Sequence, residues 1–253
     1  MTRHSATLVA DRRIEGVELA GDPDRRPIVL LHEGLGSVGL WHGFPEALQA
    51  AIGRRVLAFS RFGHGRSEPP PRPRTPAFFH EEAFDVLPVL LAEHNAGAPV
   101  LIGHSDGGSI ALIHASRHPV TGLVLLAPHV VVEERTVAAI RSTRRSYEDG
   151  GLRERMARHH DDPDAAFWGW CDVWLDPAFR DWTLEAEAGD VTAPTLLIQG
   201  ADDPYGTLDQ IDRIAPRVRG PVRRLVLPGG HAPHAEHEDA VVRAVAAFAA
   251  ALP

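Results

Sequence analysis

Short apolar runs recur along this chain at Ile28 to Leu31, Arg55 to Phe59, Val100 to Gly103, Leu123 to Ala127 and Thr195 to Gln199. Runs that lack a polar alternate suit strands covered on both faces. Ala6 to Ala10, Ile14 to Leu19 and Val222 to Leu227 add further β-rich segments and bring the expected strands to eight. Helix-spaced patterns lie between most of the later runs, at Trp41 to Ala51, Pro76 to Ala92, Asp106 to His118 and Thr207 to Ile214. Such alternation predicts an α/β fold with a mostly parallel sheet and helices on both faces. Only Asp11-Arg12-Arg13 separates the first two runs, which predicts an antiparallel hairpin at one edge. Glu236 to Leu252 places Val241, Val242, Val245 and Phe248 on one face of a terminal helix.

One interval breaks the rhythm. From 128 to 194 no strand is legible, while charge-rich helical segments follow one another at Glu133 to Glu148, Leu152 to His160, Asp164 to Leu175 and Ala178 to Glu187. The expected organisation is a core of 1–127 and 195–253, interrupted between the sixth and seventh strands by a helical cap. Trp168, Trp170, Trp174 and Trp182 fall in the cap. Packing of a small helical layer accounts for most of them. Trp168 and Trp174 are the candidates for an apolar wall facing a substrate.

With 253 residues, 44% hydrophobic and 24% charged, the chain suffices for a single large domain with a real core. A net charge of −8 and only scattered Arg pairs argue against nucleic acid or an anionic membrane as partner. The single cysteine, Cys171, excludes an intrachain disulfide and has no evident histidine partner. No signal-like start and no apolar run near the roughly 20 residues of a membrane span is present, so a soluble cytoplasmic protein is expected. Composition leaves open whether it is a monomer or a homo-oligomer.

The candidate chemistry centres on Gly103-His104-Ser105-Asp106-Gly107-Gly108, which joins an apolar run to a helical one. Glycines two before and two after Ser105 allow a tight turn that lifts the serine into an exposed position, a nucleophile elbow. The amides of the following helix favour an anion there. A serine hydroxyl needs a histidine to take its proton and a carboxylate to orient that histidine. Two later strand ends supply candidates, Asp202 and Asp203 after Gln199, then His231 and His234 after Leu227. The order Ser, Asp, His is the one used by α/β-hydrolases.

Two further motifs, His32-Glu33-Gly34-Leu35-Gly36 and Arg61-Phe62-Gly63-His64-Gly65-Arg66-Ser67, complete a resemblance to the α/β-hydrolase superfamily from about Ile28 to the C-terminus. The resemblance implies Asp203 rather than Asp202 as the acid and His231 rather than His234 as the base. It also implies an oxyanion hole from the amides of Gly34 and Asp106, with Leu35 as the neighbouring possibility. The implied activity is that of a serine hydrolase with a small-molecule ester as substrate and no cofactor. Carbon–carbon or lactone hydrolysis, and a non-catalytic ligand-binding member of the fold, are the alternatives.

Two residues depart from the family pattern, Glu33 for the usual glycine and Ser60 for an aspartate; the latter is expected to be structural. Ser-Asp-Gly-Gly resembles the elbow of the biphenyl-hydrolase-like esterases, whose residue after the serine meets a substrate amino group. Glu33 and Asp106 would then favour an amine-bearing ester, the alternative being that both serve local backbone hydrogen bonding. His129, just past a strand end, is a further candidate for lining the pocket. No metal is expected: His231, His234 and His237 lie close in sequence, but the triad already claims the first.

Overall fold

Runs buried on both faces must exchange backbone hydrogen bonds with neighbours, and in the computed structural model, which describes residues 2–253, they do so in one sheet. Its strands are β1 (Thr2–Val9), β2 (Arg12–Leu19), β3 (Ile28–Leu31), β4 (Val56–Phe59), β5 (Val100–His104), β6 (Gly122–Leu126), β7 (Thr195–Gly200) and β8 (Val222–Leu227). They lie in the order β1-β2-β4-β3-β5-β6-β7-β8. The pairs β1–β2 and β2–β4 are antiparallel and all others parallel, so the hairpin sits at one edge as expected. Every residue of β3 to β7 is buried, whereas every residue of β8, at the other edge, is half-buried or exposed.

Helices cover both faces. On one, α1 (Phe44–Ile52) and α11 (Glu238–Ala249) bury Phe44, Leu48, Val241, Val245 and Phe248 against Leu30, Ile102 and Val124. On the other, α3 (Leu87–Glu93) and α4 (Asp106–Arg117) bury Leu87, Leu91, Ile110 and Ile113 with Leu31, Leu101 and Leu125. Between β6 and β7 the chain forms α5 (Glu134–Glu148), α6 (Gly151–Met156), α7 (Pro163–Leu175) and α8 (Glu185–Asp190). Tyr147 of α5 stacks on Phe167 of α7 at 3.7 Å between ring centres. Trp174, Phe179 and Trp182 pack around Phe79 of α2 (Phe78–Glu81), which joins this layer to the core.

Several helices are shorter than their sequence patterns predict. The segment Pro76 to Ala92 divides into α2, a π-helical turn over Glu82–Val86, and α3. Pro88, with no amide hydrogen, takes the second position of α3, where none is needed. Ala178 to Glu187 is not one helix: a 3-10 turn at Pro177–Phe179 precedes α8, and Thr183 bridges to Val131 instead. The pattern from Trp41 breaks at His42, whose φ is 49°, that from Thr207 forms only α9 (Asp209–Ile214), and that from Glu236 divides into α10 (Pro233–Glu236) and α11. Among the described residues no helix is long and apolar enough to cross a membrane.

Candidate active site

Ser105 occupies the turn from β5 into α4 with φ 52° and ψ −118°, a conformation that side chains rarely adopt. The flanking glycines make it possible. A Cβ on Gly103 would lie 2.2 Å from the Gly107 carbonyl oxygen, and one on Gly107 would lie 2.0 Å from that of Leu31 on β3. The elbow is thus pressed against the neighbouring strand, and α4 begins at the residue after the serine.

The loops after β7 and β8 converge on the same point. Ser105 donates its hydroxyl proton to His231 Nε2 across 2.8 Å, and His231 donates from Nδ1 to Asp203 Oδ2 across 2.7 Å. Asp203 is 1% exposed. Its Oδ2 also accepts from Gln199 Nε2 at 2.7 Å, and its Oδ1 accepts from the amides of Tyr205 at 2.7 Å and Gly206 at 3.3 Å. Burial alone would push this carboxyl up. The hydrogen bond and charge of His231, with the Tyr205 amide, outweigh it and hold Asp203 below the usual carboxylate range.

Across from the elbow, the loop after β3 is held by side chains from three segments. The Glu33 carbonyl accepts from His32 Nδ1 at 2.7 Å, from Arg61 Nη2 at 2.8 Å and from the Gly36 amide at 3.1 Å. The Gly34 and Leu35 carbonyls accept from His64 Nε2 at 2.8 Å and His160 Nε2 at 2.9 Å. The Leu35 amide donates to the Glu33 carboxylate, so it is already engaged. A Cβ at Gly34 would lie 2.2 Å from Trp170 Nε1, so the loop admits no side chain there. Ser60 is buried, accepts from the Val38 amide and donates to Glu15, a structural role as expected.

Ser105 and His231 open into a cavity of about 480 Å³. Its walls come from the β3 loop (Glu33, Gly34, Leu35), from α5 to α7 (Ile140, Leu152, Met156, Trp170, Trp174) and from His129 and Tyr205. Residues 26–160, more than half of the chain, match the sequence model described as the alpha/beta hydrolase fold. The chain belongs to the alpha/beta hydrolase family.

Relatives of this alpha/beta hydrolase include a zebrafish (Danio rerio) sn-1-specific diacylglycerol lipase, ABHD11, which is 34% identical over 99 residues. That match covers 39% of this chain and only 30% of the lipase. The mouse (Mus musculus) serine hydrolase BPHL is 27% identical over 223 residues, covering 81% of this chain and 73% of that protein. Among solved structures, a bacterial membrane phospholipase A superposes with a TM-score of 0.81 at 20% identity, covering 98% of this chain and 85% of the other. At that identity the likeness is one of fold.

Within this fold the candidates named from the sequence mostly converge. Glu33, Gly34, Leu35, Ser105, Asp106, His129, Trp174 and His231 line the cavity, with Asp203 behind His231. Trp168 does not. Its ring packs on Tyr147 and Phe167, with the Arg144 guanidinium over it, on the far side of α7. Trp170 takes the expected place instead, because positions 170 and 174 share a helix face that 168 does not.

The remaining histidines separate. His234 is buried between Trp41, Phe44 and His104, and His237 donates to the Pro228 carbonyl at 2.7 Å. Among the described residues no group of histidine, cysteine and acidic side chains is arranged to hold a metal ion. Cys171 is buried, which pushes its thiol up to about 11. His129 is also buried and pushed down to about 3, so it is neutral in the wall, with its Nδ1 unpaired in the structure.

Asp106 and Glu33 lie in unusual company. Asp106 is 1% exposed and its Oδ1 accepts from Trp174 Nε1 at 3.2 Å. Burial pushes its carboxyl up more than the nearby Arg61 and the Trp174 bond pull it down. Glu33 is likewise raised, first by burial and also by the proximity of Asp106. Behind them lie Glu82 and the guanidiniums of Arg61 and Arg74, the latter lowered by burial to about 10.

Proposed function

We propose that this chain is a serine hydrolase that cleaves a small carboxylic ester through an acyl-enzyme intermediate. The carrying observation is the unbroken relay Ser105–His231–Asp203 at the floor of a largely apolar cavity. Ser105 Oγ attacks the ester carbonyl while its proton passes to His231 Nε2. His231 then returns that proton to the departing alcohol, and a water deprotonated by the same nitrogen releases the acid. Asp203 holds the Nδ1–H tautomer and stabilises the imidazolium. The amides of Gly34 and Asp106 hold the carbonyl oxygen as it becomes negative. Residues 128–194 act as the cap that shapes the acyl site, and the reaction needs no cofactor.

The test is hydrolysis of p-nitrophenyl acetate, butyrate and octanoate. Turnover that falls by about 10³-fold or more in Ser105→Ala and His231→Ala, and comparably in Asp203→Asn, is the expected result. Wild-type rates in Ser105→Ala would overturn the reading.

An amine-bearing ester is favoured within this class by the charge beside Ser105. Glu33 and Asp106 line the cavity together with Ser105, while Arg155 and Arg158 line it from the 128–194 segment, so the carboxyls lie on the core side of the cavity. A substrate ammonium placed against Asp106 and Glu33 would pair with these carboxyls in a site that screens poorly. The expected result is that Asp106→Asn loses preference for an amino-acid ester over its neutral analogue. An unchanged ratio would refute it.

A further inference from the structure

Arg61 is 6% exposed, and its guanidinium faces the back of the loop that carries Gly34. Nη1 donates to the His32 carbonyl and Nη2 to the Glu33 carbonyl at 2.8 Å. Arg61 also donates its own amide to His32 Nε2 at 3.0 Å, which fixes the tautomer that lets His32 Nδ1 donate to the same Glu33 carbonyl. That carbonyl belongs to the peptide whose other end is the Gly34 amide. No described peptide is cis, and in a trans peptide C=O and N–H point opposite ways. Fixing the carbonyl toward Arg61 therefore turns the Gly34 N–H to the cavity side, where Gly34 faces Ser105 and Asp106.

We propose that Arg61 is a positioning residue for catalysis: by hydrogen bonding the Glu33 carbonyl it aims and polarises the Gly34 N–H that receives the oxyanion. This rests on the serine hydrolase reading above. A guanidinium on the carbonyl end draws electron density through the amide and makes its N–H a stronger donor, and burial leaves that charge little screened. His64 and His160 on the Gly34 and Leu35 carbonyls keep the rest of the loop from rotating, so Arg61 supplies the charge that these neutral rings do not. The effect is needed most when the carbonyl oxygen is negative, so it belongs to the transition state more than to substrate binding.

The test uses Arg61→Met and Arg61→Lys, with the concentration of working sites fixed by fluorophosphonate titration of the nucleophile. Losing one oxyanion donor outright costs about 10²- to 10³-fold in kcat, and weakening one is expected to cost about 10- to 100-fold in Arg61→Met. KM for p-nitrophenyl butyrate should stay within about twofold, and affinity for a boronic acid that forms a tetrahedral adduct should fall in parallel with kcat. Arg61→Lys keeps a cation among Glu33, Glu82 and Asp106 but loses the fork, and is expected to retain an intermediate kcat. A merely structural role would lower the titrated fraction of sites and leave their kcat and boronate affinity unchanged, which overturns the proposal. If Arg61→Met does not fold, Arg61→Lys decides alone: a kcat at least about fivefold down at unchanged KM supports the proposal, and wild-type kcat overturns it. Full activity in Ser105→Ala would instead remove the underlying reading, so the two failures are distinguishable.

Discussion

His104, the residue before Ser105, donates from Nε2 to the backbone carbonyl of His231 across 2.7 Å. The end of β5 and the loop after β8, 127 residues apart in sequence, are thereby pinned together by one buried ring. Burial and the neighbouring His234 and His231 rings hold His104 well below the usual histidine range, so it is neutral near pH 7. His104→Ala is expected to lower kcat by about tenfold and stability by about 1–3 kcal/mol, because it removes a part-buried hydrogen bond with its ring and frees the loop that carries His231. Thermal melts and p-nitrophenyl ester kinetics on the variant test both halves, and unchanged kcat would mean that the loop is held elsewhere.

Trp170 and Trp168 provide a paired test of which face of α7 meets the substrate. Trp170→Ala is expected to shift the preference among acetyl, butyryl and octanoyl esters, since its side chain lines the cavity. Trp168→Ala should leave that profile within about twofold, because its ring lies under Arg144 on the other face. Comparing kcat/KM across the three chain lengths decides between them.

Asp106 is predicted to trade stability for selectivity. A carboxyl that burial has raised binds its proton more tightly folded than unfolded, so its ionisation costs folding free energy as pH rises through the unfolded and then the folded pKa. Above both, the cost is complete and constant. Asp106→Asn should therefore gain Tm relative to wild type as the comparison moves from pH 4.5 to pH 8. An equal difference at both values would show that Arg61 and Trp174 fully compensate the charge.

Seven buried histidines, His32, His64, His104, His114, His129, His160 and His234, are all held below the ordinary histidine range, chiefly by desolvation. His114 and His234 are lowered to about 4. Below about pH 6.5 the unfolded chain takes up protons that the native state refuses, so stability falls as pH falls, by about 1.4 kcal/mol per pH unit for each such proton. Urea denaturation at pH 7.5, 6.5 and 5.5 should show a midpoint dropping steeply over that range. A flat midpoint would contradict the buried neutral state of these rings.

Sequence patterning located the eight strands within a few residues because runs such as Val100 to Ile102 and Leu196 to Ile198 have no polar alternate to confuse the period. It brought Ser105, Asp203 and His231 together because strand ends in a parallel sheet share one edge. Helix phase was harder to read. Trp168, Trp170 and Trp174 offer aromatic residues to more than one face of α7, and only the packing of Tyr147 on Phe167 selects the face. Nothing local marks Ala178 to Glu187 as broken, since Thr183 finds its partner at Val131. The web of Arg61, His64 and His160 on the Glu33 to Leu35 carbonyls was invisible for a related reason: its side chains bond to backbone far off in sequence, and no periodicity records that.

β6 and β7 are adjacent in the sheet although residues 127–194 intervene between them, so the chain departs and returns at neighbouring points. A detour of that kind can be lengthened, shortened or rebuilt without shifting the register of any strand pair. Ser105 precedes the detour and Asp203 and His231 follow it, so all three are carried by the sheet, while Ile140, Leu152, Met156, Trp170 and Trp174 are carried by the detour. The hydrogen-bonded chain Ser105–His231–Asp203 and most of the cavity wall above it are therefore separable parts of the architecture: exchanging the intervening helices would reshape the cavity and leave that chain untouched.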